Sequence, residues 1–137
     1  MPVLFFFHNI SFSLKKKSGV KKLIFSVIRK EKKKAGDINF IFCDDKFLLS
    51  LNKKHLKHNT LTDILTFQYS SEKLSGEIFT SIPRVKENAK KFNVSFDNEL
   101  YRVMIHGVLH LCGYKDKSAL QKKIMRKKED YYLKFLK

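Results

Sequence analysis

The chain has 137 residues, with 29 Lys and Arg against 13 Asp and Glu, a formal net charge of +16. Two cysteines, Cys43 and Cys112, exclude a disulfide framework. The short apolar run Val3 to Phe7, far below the ~20 residues of a membrane helix, excludes a transmembrane span there. A hydrophobic fraction of 43%, 13% of the residues being aromatic, excludes a disordered chain and predicts one compact domain over residues 1–137.

Val3 to Phe7 has strand composition, and with no basic residue ahead of it does not read as a secretory signal, so the expected compartment is the cytoplasm. Val20, Leu23, Ile24, Val27 and Ile28 recur at helical spacing, with Lys21, Lys22, Arg29, Lys30 and Lys32 on the other face. Gly36 and Asp37 break that pattern, and Ile38 to Cys43 reads as a buried strand. Asp44 can cap a second helix that carries Phe47, Leu48 and Leu51 inward and fades near Leu56.

Asp63 to Tyr69 alternates, with Ile64, Thr66 and Gln68 on one side and Leu65, Phe67 and Tyr69 on the other. Glu77 to Ile82 is a further strand, and the two can form a hairpin. Pro83 suits the first turn of a third helix running to about Phe92. Asp97 or Asn98 can cap a fourth, from about Glu99 to Cys112, which Gly113 would end in the left-handed region. Ser118 can cap the last helix, with Leu120, Ile124, Tyr131 and Phe135 on one side. The predicted fold is α+β: a small mixed sheet of about four strands packed with about five helices, and a metal site at the end of a central helix.

The chemistry is concentrated in His106-Gly-Val-Leu-His110-Leu-Cys-Gly-Tyr-Lys-Asp116. At i and i+4 the two imidazoles lie about 40° apart on one edge of the fourth helix and can present nitrogens to one point. Gly113 lets the chain fold back, so Asp116 can reach the same point. Two His and one carboxylate leave a position for water, the pattern of a catalytic zinc site. A carboxylate ligand lowers the charge of such a centre and makes a bound water less acidic than three imidazoles would. Cys112 lies about 160° around the helix from His110 and reads as a structural thiol. A glycine within a helix costs about 1 kcal/mol against alanine, so Gly107 answers either a close helix approach or a need for space beside the metal. The same position holds the Glu base of His-Glu-x-x-His proteases, which sets peptide hydrolysis aside.

His-Gly-Val-Leu-His-Leu-Cys-Gly-Tyr (106–114) resembles the signature of the YbeY-type endoribonucleases. Leu51-Asn52, Thr62-Asp63-Ile64-Leu65-Thr66-Phe67, Gly76-Glu77-Ile78, Met125 and Glu129 are similar to further elements of that family. The resemblance implies a zinc-dependent endoribonuclease specific for single-stranded RNA. Its expected roles are maturation of the 16S rRNA 3′ end and quality control of the ribosomal small subunit. It implies one Zn²⁺ held by His106, His110 and the residue at 116. The family usually has a third His there, where this chain has Asp116, and an Asp where it has Lys115. Some members carry an Arg where this chain has Leu56, and the phosphate contact would then be lost or pass to Lys57 or His58. No general base is readable. Asp63 can serve as one or simply hold a strand end. Two other readings stand beside this: an rRNA- or ribosome-binding assembly factor with a structural or vestigial metal, and a metal-dependent hydrolase of another substrate. A pI of 9.9 fits RNA holding or a lysine-rich codon bias, and the former requires a cleft mouth more basic than the average surface.

Overall fold

The computed structural model describes residues 3–56, 62–70 and 72–136, with nothing stated of the Leu56 side chain. The elements follow as β1 (Val3–Phe7), α1 (Lys17–Lys30), β2 (Ala35–Cys43), α2 (Asp45–Leu56), β3 (Ile64–Ser70), β4 (Leu74–Ser81), α3 (Ile82–Phe92), α4 (Phe96–Leu111) and α5 (Ala119–Leu133). The four strands form one sheet in the order β1-β2-β4-β3. β1 and β4 both run parallel to β2, and β3 pairs antiparallel with β4 in the expected hairpin. The mixed α+β domain therefore stands as read from the sequence.

Strand periodicity divides the sheet between two cores. Ile38, Phe40 and Phe42 of β2 and Ile78 of β4 are fully buried on one face, under α1, α3, α4 and α5. On the other face, Leu65 of β3 joins Cys43 and Leu48, with Phe47, Leu51, Phe67 and Phe79 against them, under α2. The alternation read in β3 is thus real: Leu65 and Phe67 face α2. On the opposite side Gln68 donates from Nε2 to the Leu111 carbonyl at the end of α4, at 3.0 Å.

Four local expectations shift. Gly36 and Asp37 continue β2, because Ala35 already pairs with Leu74 and the Asp37 N–H donates to Ser75 Oγ at 3.2 Å. β4 begins at Leu74 and ends at Ser81, leaving Ile82 to open α3, where Ser81 Oγ accepts from Arg84 N–H. Ser95 caps α4 in place of Asp97 or Asn98, accepting from Asn98 N–H at 3.1 Å. Asp97 and Glu99 then fall in the first turn, where negative charge complements the helix dipole. Finally, the side of α5 carrying Leu120, Ile124 and Tyr131 is exposed, as is Phe135 beyond the helix end. The buried side is Met125, Glu129 and Tyr132, turned inward because Glu129 and Tyr132 find polar partners there. The other caps hold: Asp44 accepts from Phe47 N–H at 2.8 Å, and Ser118 forms a reciprocal capping box with Gln121.

Candidate metal centre and its cleft

From Glu99 to Leu111 α4 is buried, except at Arg102, His106 and His110. Those three are four residues apart, so they form one partly open stripe on an otherwise enclosed helix. Gly113, at φ 108°, turns the chain back after Leu111, with its N–H on the His110 carbonyl and Tyr114 N–H on that of Leu109. That reversal brings Asp116 to the two imidazoles. His106 Nε2 lies 2.8 Å from His110 Nε2 and 3.1 Å from Asp116 Oδ2, and His110 Nε2 lies 3.4 Å from the same oxygen.

The outer ring nitrogens decide what these atoms can bind. His110 Nδ1 lies 2.9 Å from the Tyr114 carbonyl, which can only accept, so Nδ1 carries the proton. His106 Nδ1 lies 2.6 Å from Glu129 Oε2 and donates to that carboxylate. Both Nε2 atoms then present lone pairs to each other and to a carboxylate oxygen. Three acceptors without a donor require a cation between them or an extra proton on one imidazole. The spacings bracket the ~3.3 Å edge of a tetrahedron with ligands at ~2.0–2.1 Å, so the set fits a zinc-sized ion. Among the described residues, these three form a group of donor atoms within 4.8 Å of one another that can hold a metal ion. Burial pushes the His106 imidazole down, but the Glu129 carboxylate, with Asp116 and Asp63, carries it above its ordinary value.

A sequence profile of the family described as endoribonuclease YbeY matches residues 8–137. The chain belongs to the YbeY endoribonuclease family. Endoribonuclease YbeY of Flavobacterium psychrophilum is 50% identical over 130 residues, covering 94% of this chain and 93% of its own. That of Karelsulcia muelleri is 50% identical over 133 residues, covering 96% and 94%. A Thermotoga maritima protein of known solution structure superposes with a TM-score of 0.67 at 28% identity, over 98% of this chain and 88% of its own.

The metal group of this YbeY-family chain opens on a cleft of about 730 Å³ between α4, α5, the N-terminal end of β3 and α3. Its floor is acidic. Asp63, Glu99 and Glu129 line it, and Arg102 pairs with Glu129 at 3.1 Å and with Asp130 at 2.8 Å. Burial raises the Asp63 carboxyl, His106 and a 3.3 Å donation from Asn88 Nδ2 pull it back, and Glu129 adds to the rise. Asp63 also holds the strand end, since its carbonyl accepts from Ser81 N–H at 3.0 Å. Burial and the neighbouring Asp63 likewise raise Glu99. The exposed charged residues lining the mouth, Lys122 and Arg126, are both cations. The half-exposed Asp116 carboxylate shares this lining, so cations at the mouth stand beside an acidic interior. Lys57 and His58 lie outside the described residues.

Cys112 packs half-buried against the main core, its thiol pushed up to about 11 by burial, and it is not part of the ligand group. Gly107 faces Ile64 and Ile78 of the sheet, so its missing side chain answers a close helix approach. The sequence reading missed Arg102, whose signal was its place four residues before His106. It also missed what Glu129 does, and nothing local indicates a contact 23 residues away. No described helix is long and apolar enough to cross a membrane.

Proposed function

We propose that this chain is a zinc-dependent endoribonuclease that cuts single-stranded RNA, with its zinc held by His106, His110 and Asp116. Its proposed substrate is the 3′ end of 16S rRNA on the small ribosomal subunit, in rRNA maturation and ribosome quality control in the cytoplasm. The observation that carries the reading is the convergence of two imidazole lone pairs and one carboxylate oxygen in a cleft of a YbeY-family chain. When bound, the ion supplies Lewis-acid polarisation of the phosphodiester and a more acidic water.

The chain's own residues do the rest. Glu129 and the Tyr114 carbonyl hold the Nδ1 protons, and so keep both Nε2 lone pairs turned into the cleft. Lys122 and Arg126 at the mouth hold backbone phosphates by charge, without reading bases. Asp63 shares the cleft lining with His106 and His110, and burial raises its carboxyl, which makes it the candidate for proton exchange in this reading.

The test is metal content with cleavage of an RNA carrying the 16S 3′ end, for the native chain and for His106→Ala and His110→Ala. Bound zinc and cleavage in the native chain, with both lost in the variants, is expected. Full cleavage by metal-free variants would overturn the reading.

A further inference from the structure

Glu31 lies at the C-terminal end of α1, outside the cleft lining, and yet its side chain is 92% removed from solvent, with 8% exposed. Three donors meet its carboxylate. Tyr114 Oη donates to Oε1 at 2.6 Å, Lys128 Nζ to Oε2 at 3.0 Å, and Tyr132 Oη also to Oε2. Burial opposes the charge, but the three donors hold the carboxyl below its usual range, so it stays ionised.

The donors come from the two elements that stand behind the imidazoles. Tyr114 is in the reversal after α4, and its main-chain carbonyl is the acceptor for His110 Nδ1–H. Asp116 is two residues further along the same reversal. Lys128 and Tyr132 flank Glu129 on α5, and Glu129 is the acceptor for His106 Nδ1–H. The Lys128 ammonium also sits 5.5 Å over the Tyr114 ring, tying the two elements a second time.

We propose that Glu31 is a positioning residue for the metal centre. One buried carboxylate clamps the Tyr114 reversal to α5, and so fixes the acceptors that set the tautomer and direction of both imidazoles. Its effect on zinc rests on the reading above. Its effect on His110 does not. Without the clamp the Tyr114 carbonyl is free to drift from His110 Nδ1, the proton redistributes between the ring nitrogens, and Nε2 ceases to be a dedicated acceptor. Loss of such an orienting partner costs metal affinity about 10–100-fold.

The test uses Tyr114→Phe, which deletes only the hydroxyl and leaves the carbonyl in the chain, and Glu31→Gln, which keeps the shape and removes the charge. Ile24→Val, a buried cut in α1 two turns before Glu31 that removes none of these hydrogen-bonding groups, controls for loss of stability alone. Nitrogen-detected NMR of the metal-free full chain reads the His110 tautomer, and competition with a chromophoric chelator reads Zn²⁺ affinity. The expected result is a native His110 protonated at Nδ1, with that tautomer depleted and affinity reduced about tenfold or more in both variants. Ile24→Val should keep both native values whatever its melting temperature. Native tautomer and affinity within about twofold in Tyr114→Phe would overturn the proposal, even if Glu31→Gln fails to fold. If the native chain binds no zinc, the functional reading falls, while the tautomer result still decides the role of Glu31.

Discussion

Gly107→Ala probes how closely α4 lies on the sheet that supports the cleft. A methyl built at Gly107 would meet Ile64 Cδ1 and Ile78 Cγ2 at 2.8 Å each, and Ile78 Cδ1 at 3.2 Å. Carbon atoms prefer ~3.5–4.0 Å, so two contacts fall short by ~0.7–1.2 Å. Ile64 Cδ1 is the end of a flexible, partly open side chain and can rotate away. Ile78 Cγ2 branches at the Cβ of a fully buried residue on an interior strand and cannot. Alanine gains about 1 kcal/mol of helix propensity, against about 1–3 kcal/mol for overpacking. With the Ile78 contact fixed, the upper part of that range applies, leaving a net loss of about 1–2 kcal/mol. Urea unfolding of the metal-free chain measures it. Ile64→Val removes one of the two closest atoms, so the double variant should lose less than the sum of the single changes. A Gly107→Ala protein as stable as the native one would refute the close-approach reading and return the glycine to a role beside the metal.

Glu129→Gln should reduce zinc affinity about 10–100-fold, measured by chelator competition. It also carries a pH signature in metal-free protein. The His106 pKa is raised on folding, so its stabilisation is full below the unfolded value of about 6.5 and is lost as pH rises through the folded one. The His106-dependent part of the Glu129→Gln deficit should therefore be largest in mild acid and fade in alkali, as read by melting temperature against pH. Asp116→His exchanges a carboxylate ligand for a neutral one, raising the charge of the centre. The acid limb of its cleavage pH profile should move to lower pH, and an unmoved limb would remove Asp116 from the ligand set. Lys122→Ala and Arg126→Ala should each weaken RNA binding uniformly across sequences and reduce the salt slope by about 0.7 for each phosphate no longer neutralised. Fluorescence anisotropy at several salt concentrations reads both, and an unchanged slope would take these residues off the RNA path.

Much of the fold was legible because its signals are local. Buried Val20 to Ile28 on α1 follow helical periodicity, and β3 alternates by strand periodicity, while the caps Asp44 and Ser118 act within three residues of themselves. The misplaced cap of α4 shows the limit of that logic. Ser95, Asp97 and Asn98 are all cap formers, and the packing of Phe96 against the core, with the helix starting there, goes with Ser95 as the cap. For α5, apolar content alone pointed to Leu120, Ile124, Tyr131 and Phe135. The rotation is set instead by Glu129 meeting Arg102 and His106, and by Tyr132 meeting Glu31. The ligand group was legible for the same reason as the helices: His106, His110 and Asp116 lie within one helical turn and one reversal. Its supports were not, since Glu31 reaches Tyr114 across 83 residues and Asp63 reaches Asn88 across 25.

The proposed function rests on His106, His110 and Asp116 holding the ion with which this YbeY-family chain cuts RNA. The most direct measurement is a zinc titration of metal-stripped protein, followed by cleavage of an end-labelled single-stranded RNA. The expected result is no cleavage at zero zinc, a rise in proportion to bound zinc up to one ion per chain, and none at any zinc level in His110→Ala. Cleavage that is indifferent to zinc, or that persists in His110→Ala, would contradict it.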